Sequence, residues 1–141
     1  MPARLVASII VVLALVGTTE VRAADAEVVE HKGRWESGYG ATWYNVVGRV
    51  KNTSDHALRW VKLRIDALDD TGKVVASTDT YNESAEVLTV PEANPSDLVA
   101  HGKVKTLAIG GEERFRGSFL KDETPPFKDY RVAIVDTPTA K

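Results

Sequence analysis

Trp60-Val61-Lys62-Leu63-Arg64-Ile65-Asp66-Ala67-Leu68 is the stretch that decides the fold class. Val61, Leu63, Ile65 and Ala67 alternate with Trp60, Lys62, Arg64 and Asp66, a period of two that makes one face apolar and the other polar. A helix of period 3.6 through the same residues would bury Lys62 or Asp66, so the stretch predicts a strand with one buried face. Asp69-Asp70-Thr71-Gly72 follows as a turn, with Gly72 in a left-handed position, and Val74 to Tyr81 returns as the partner strand.

Outward from this hairpin the same rhythm recurs. Upstream, Trp43 to Lys51 reads as a strand with Tyr44, Val46, Gly48 and Val50 inward and Asn45, Arg49 and Lys51 outward, closed by the turn cluster Asn52-Thr53-Ser54-Asp55. Val28 to Trp35 is a weaker first strand, interrupted at Gly33. Downstream, strands are expected at Val104–Ile109, at Arg114–Leu120 with Phe115, Gly117 and Phe119 on one side, and at Tyr130–Val135. Between residues 82 and 103, Pro91 and Pro95 exclude a regular central strand, and Pro95 to Gly102 fits one helical turn closed by glycine. The sum is an all-β, immunoglobulin-like antiparallel β-sandwich of about seven strands. Val46, Val50, Leu63, Ile65, Phe115, Phe119 and Val132 are expected in its core.

The N-terminus has a different character. Arg4 precedes an apolar run from Leu5 to Gly17, and small residues close the segment at Ala23-Ala24, the pattern of a secretory signal peptide cleaved near Ala23 or Ala24. The run is short for a membrane-spanning helix, which needs about 20 apolar residues. The expected organisation is a signal peptide over 1–23, an N-terminal extension or weak edge strand over 24–41, the sandwich over 42–136 and a frayed tail over 137–141. Removal of the signal peptide leaves 118 of 141 residues, with 16 basic and 19 acidic side chains. No cysteine follows the apolar run to carry a lipid, so a free periplasmic or secreted protein is expected.

Composition narrows the chemistry. Eighteen basic against 20 acidic residues lack the basic excess of a nucleic-acid binder. The absence of cysteine excludes thiolate metal sites, thiol nucleophiles and disulfides. His31, His56 and His101 are spaced too widely for a local metal-ligand motif, and the only methionine is the first residue. No Gly-x-Ser-x-Gly elbow is present, and the paired carboxylates Asp69-Asp70, Glu112-Glu113 and Asp122-Glu123 fall in expected turns. A hydrolase or metal-dependent enzyme would need His56 or His101 to meet a carboxylate and a nucleophile in a concave pocket. No catalytic, cofactor-binding or metal-binding residue is therefore assigned. The suggestive stretch is Trp35-Glu36-Ser37-Gly38-Tyr39-Gly40-Ala41-Thr42-Trp43-Tyr44, where aromatics interleave with glycines. Trp35, Tyr39, Trp43 and an outward Trp60 form a candidate patch for a partner protein or, alternatively, a small ligand or carbohydrate. Asn52-Thr53-Ser54 and Asn82-Glu83-Ser84 fit the glycosylation pattern formally but read better as turn residues.

Val46 to Ser54, Ile65 to Val75, Leu107 to Phe115 and Tyr130 to Val135, in that order, resemble the motifs of the FxLYD domain family. Ile65, Ala67 and Leu68 stand where the naming motif has Phe, Leu and Tyr, while Asp69 and the Gly72-Lys73 turn keep their spacing. The resemblance spans about residues 42–136. It implies a small immunoglobulin-like sandwich of exported prokaryotic proteins, a non-catalytic module with no family active site. A regular sandwich pattern without a catalytic constellation leads to the separate expectation that the chain contacts another protein of the cell envelope.

Overall fold

The computed structural model describes residues 21–22, 25–90 and 94–140. Apart from residues 21–22, the expected signal peptide lies outside the described residues, as does Pro91. Among the described residues seven strands form two antiparallel sheets. They are β1 (Val21–Arg22), β2 (Ala26–Gly38), β3 (Ala41–Asn52), β4 (Lys62–Leu68), β5 (Val74–Tyr81), β6 (Glu112–Leu120) and β7 (Asp129–Asp136). One sheet has the order β1-β2-β3-β6 and the other β5-β4-β7. The chain crosses between sheets after β3, β5 and β6, the Greek-key connectivity of an immunoglobulin-like sandwich.

The apolar face expected for β4 is realised in full. Val61, Leu63, Ile65 and Ala67 are completely buried, and Val46, Val50, Phe115, Phe119 and Val132 close over them from both sheets. Each fully buried large aliphatic side chain contributes about 1.5–3 kcal/mol. The sheets approach closely at Gly117, where a Cβ would strike Ile65 Cδ1 of the opposite sheet, while within the larger sheet a Cβ on Gly48 would strike the Glu30 carbonyl and the Phe115 ring. On the outer face of β4, Asp66 is buried too. Its carboxylate accepts hydrogen bonds from the Ser77 hydroxyl at 2.6 Å and the Arg131 guanidinium at 2.9 Å. Burial pushes this carboxyl up, but Ser77 and Arg131 together outweigh it and hold it below its ordinary value.

Three expectations are corrected. The first strand is neither weak nor interrupted at Gly33: β2 pairs with β3 from Ala26↔Asn52 to Gly38↔Ala41, and its one irregularity lies between Val28 and Glu30. Tyr44 covers Gly33 so closely that a Cβ there would strike its ring, so the neighbouring aromatic supplies the missing side-chain surface. Residues 104–109 form no strand; only Leu107 makes a bridge, to Leu58. This segment is held by the buried Asn52, whose side-chain N–H donates to the carbonyls of His56 and Leu107 while its oxygen accepts from the Ser54 amide and hydroxyl. The tail is not frayed over 137–140: the Arg59 amide donates to the Pro138 carbonyl at 2.8 Å, Leu58 bridges Thr139, and the Ala140 amide donates to the Ala57 carbonyl at 3.0 Å. The helical turn expected at Pro95 to Gly102 is present in the 82–103 connection. A 3₁₀ segment runs Glu83–Thr89, and a short helix α1 (Pro95–Ala100) is capped by Asn94, with Gly102 at φ 68° behind it. Ala85, Leu88 and Val104 make a second small apolar cluster beneath this connection.

Candidate functional site

The aromatic stretch lies at the far end of the β2–β3 hairpin. Pairing of β2 with β3 continues to Gly38↔Ala41, whereas β6 joins only at Trp43↔Leu120. Ser37 to Thr42 therefore stand beyond the third strand. The two-residue turn is Tyr39-Gly40 with φ of 51° and 77°, positive at both positions, as a type I′ turn requires. Asparagine or glycine takes the first of these positions at little cost; Tyr39 is the one non-glycine residue with positive φ among the described residues. Its side chain is fully exposed. The Ser37 and Thr42 hydroxyls share a hydrogen bond of 2.9 Å behind it.

The hairpin end is braced on both faces. On the outer face, Asn45 donates to Glu36 at 2.6 Å, Ser118 donates to the Asn45 oxygen at 2.6 Å, and Arg34 reaches Glu36 at 3.3 Å. The Asn45 bond, with Arg34 behind it, holds the Glu36 carboxyl below its ordinary value. Asn45 is thus buried although it faces outward. On the inner face, Trp35 packs on Tyr44 and Phe127 with ring centroids 5.1 and 5.5 Å apart. Tyr44, Phe119 and Tyr130 continue the cluster inward. His31 Nδ1 and the Tyr130 hydroxyl share a hydrogen bond of 2.7 Å. Burial, then Tyr44 and Asp129, pushes the Tyr130 phenol up to about 12. Burial and Asp129 also raise Tyr44.

The four candidate residues divide. Trp35 is 48% exposed and Trp43 40%, but the register Trp35↔Tyr44 sets Trp35 beside Tyr44 and so on the face opposite Trp43. Tyr39 stands between them at the tip. Trp60 is not part of this surface. It precedes the first ladder residue of β4, where strand alternation no longer fixes direction, and it turns into the second apolar cluster against Tyr81 at 6.3 Å. Its indole N–H is buried and has no partner among the described residues. Phe127 was not singled out in the sequence because Pro125-Pro126 before it read only as a break.

The histidines are dispersed. His56 Nδ1 lies 2.9 Å from Asp55, but the neighbouring Ser54 hydroxyl donates to Asn52 and to the His56 carbonyl rather than facing the imidazole. His101 Nδ1 lies 2.8 Å from the Asp97 carbonyl on α1, and His31 is engaged by Tyr130. Among the described residues no three His, Asp or Glu side chains converge as metal ligands. No helix among them is long and apolar enough to cross a membrane. The fold and this hairpin end define an antiparallel β-sandwich presenting an aromatic tip. No family model, curated protein or solved structure matches the chain.

Proposed function

We propose that this chain is an exported, non-catalytic β-sandwich that makes protein–protein contacts in the periplasm or cell envelope, through the tip of its β2–β3 hairpin. The observation that carries the reading is Tyr39, a bulky aromatic held in a left-handed conformation and fully exposed. A residue kept in a sparsely populated conformation that the fold does not require is a pointer to function. Tyrosine is also a rigid, amphipathic anchor favoured at protein interfaces. Trp35 and Trp43 flank it on opposite faces, so they offer no common stacking platform for a sugar but fit a partner that receives the tip from both sides. Export is supported by the character of residues 1–23, and the FxLYD-like motifs agree with a non-catalytic module. Cleavage near Ala23 would remove β1 and leave six strands in two sheets.

The test is a photo-crosslinking amino acid placed at position 39 in the native host. A discrete adduct at position 39, absent with the same probe at Asp70 in the β4–β5 turn, supports the reading. Absence of any adduct at position 39 across growth conditions overturns it.

A further inference from the structure

Apart from the hairpin tip, the outer face of the larger sheet carries a cluster of cationic side chains. Register sets Lys32, Val47 and Arg116 in one cross-strand row, and Glu30, Arg49 and Arg114 in the next. Alternate residues on a strand lie about 7 Å apart and neighbours across strands about 5 Å, so four cations surround the side chain of Val47. Arg49 is engaged, at 3.0 Å from Glu30 and 3.1 Å from Glu112. Lys32, Arg114 and Arg116 make no ion pair or side-chain hydrogen bond among the described residues.

The surface is also concave. The 3₁₀ segment is tied along β6, because Glu113 accepts from the Asn82 side chain at 2.9 Å, from the Ser84 amide at 2.8 Å and from the Ser84 hydroxyl. This raises a wall beside the arginines. A groove of ≈ 710 Å³ runs over Lys32, Arg49, Arg114 and Arg116, and meets a second of ≈ 670 Å³ that adds Lys103 and Lys105. Arg49 and Arg114 belong to both. Guarding a sheet edge against aggregation does not account for these cations. Arg49 is on β3, an interior strand, and Asn82 and Thr80 already bond the edge of β6 at Phe115 and Arg116.

We propose that this groove binds an extended acidic segment of a partner protein, with carboxylates on Arg114 and Arg116 and further ones on Lys32 and on Lys103 or Lys105. Two features select this occupant. The guanidinium fork receives a carboxylate bidentately, and side chains on one face of an extended peptide repeat at the same spacing as Arg114 and Arg116. Glu30, Glu83, Glu86 and Glu112 interrupt the cations, so a continuous sheet of anionic lipid would meet repulsion where a peptide with spaced carboxylates does not.

The probe is a fluorescent octapeptide with aspartate at every second position, titrated at low salt and read by anisotropy. Saturable binding that weakens with added salt is expected. Arg114→Glu with Arg116→Glu should weaken it about 100-fold or more, roughly tenfold per lost charge-assisted contact. Lys73→Glu in the opposite sheet's turn should leave it unchanged. Circular dichroism checks that the double variant is folded; if it is not, the single Arg116→Gln substitution must still weaken binding about tenfold. The proposal is overturned by no saturable binding, by equal binding to the arginine variants, or by anionic phosphatidylglycerol vesicles displacing the peptide at equal or lower charge concentration.

Discussion

The two hairpins turn in different ways. In the β4–β5 turn the Asp69 carboxylate accepts from the Thr71 amide at 2.8 Å, the Thr71 hydroxyl at 2.7 Å and the Lys73 amide at 3.0 Å, and Gly72 supplies the left-handed position at φ 84°. Asp69, Thr71, Gly72 and Lys73 each have a local task in that loop. The β2–β3 turn puts Tyr39 where the backbone favours asparagine or glycine, and no side chain of the turn itself bonds it closed. One sequence is explained by folding alone. The other has no such local explanation, and the proposed contact at Tyr39 rests on that difference.

The largest effect separating them should come from the strands behind each turn. Ile65→Ala on β4 is expected to cost about 2–5 kcal/mol in denaturant unfolding, because it empties a fully buried site. Trp35→Ala on β2 should cost only about 1 kcal/mol, since its ring is half exposed and loses mainly the contacts with Tyr44 and Phe127. Equal costs would erase the distinction between a hairpin that builds the core and one that extends past it.

A smaller effect of opposite sign is expected at the tip itself. Tyr39→Asn should raise stability by about 1 kcal/mol, by placing a residue tolerant of the left-handed region there. It should also abolish co-purification of the partner identified by crosslinking. Loss of stability on this substitution would mean that the tyrosine serves the fold after all. The smallest effect is a titration. Hydrogen bonds from the Thr71 hydroxyl, then the Lys73 and Thr71 amides, hold the Asp69 carboxyl below its ordinary value. Its contribution to stability is therefore present above the unfolded carboxylate pKa and is lost as pH falls through the lower folded value. The Thr71 and Lys73 amide resonances should shift with a midpoint below the ordinary aspartate value. Titration at the ordinary value would show that the turn is not closed by Asp69.

How much of this was legible in the sequence depended on whether a residue's two neighbouring environments differ. Val61, Leu63, Ile65 and Ala67 were readable because β4 is apolar on one side and charged on the other. β2 looked weak because its outer half carries Lys32, Arg34 and Glu36 on one face and a glycine on the other, and the ring covering Gly33 comes from Tyr44 on the next strand. Val104 to Ile109 looked like a strand by composition, yet Val104 serves the second cluster, Leu107 the first, and Ile109 is exposed. Apolar residues at unequal spacing were being shared between two cores. Trp35, Tyr39 and Trp43 stood out in the sequence because aromatics beside glycine are conspicuous. The arginine groove was not, because Lys32, Arg49, Arg114 and Arg116 come from three strands and meet only through register.

The length of β2 also fixes a direction. The Thr137 hydroxyl donates to the Asp25 carboxylate at 3.3 Å, so the chain enters the sandwich and leaves it at the same pole. From there β2 runs from Ala26 to Gly38, a span of about 40 Å, before it reaches the turn. Anything joined to the protein at Asp25 or beyond Thr137 holds it by its base, with Tyr39 at the tip of a lever pointing away from the point of attachment.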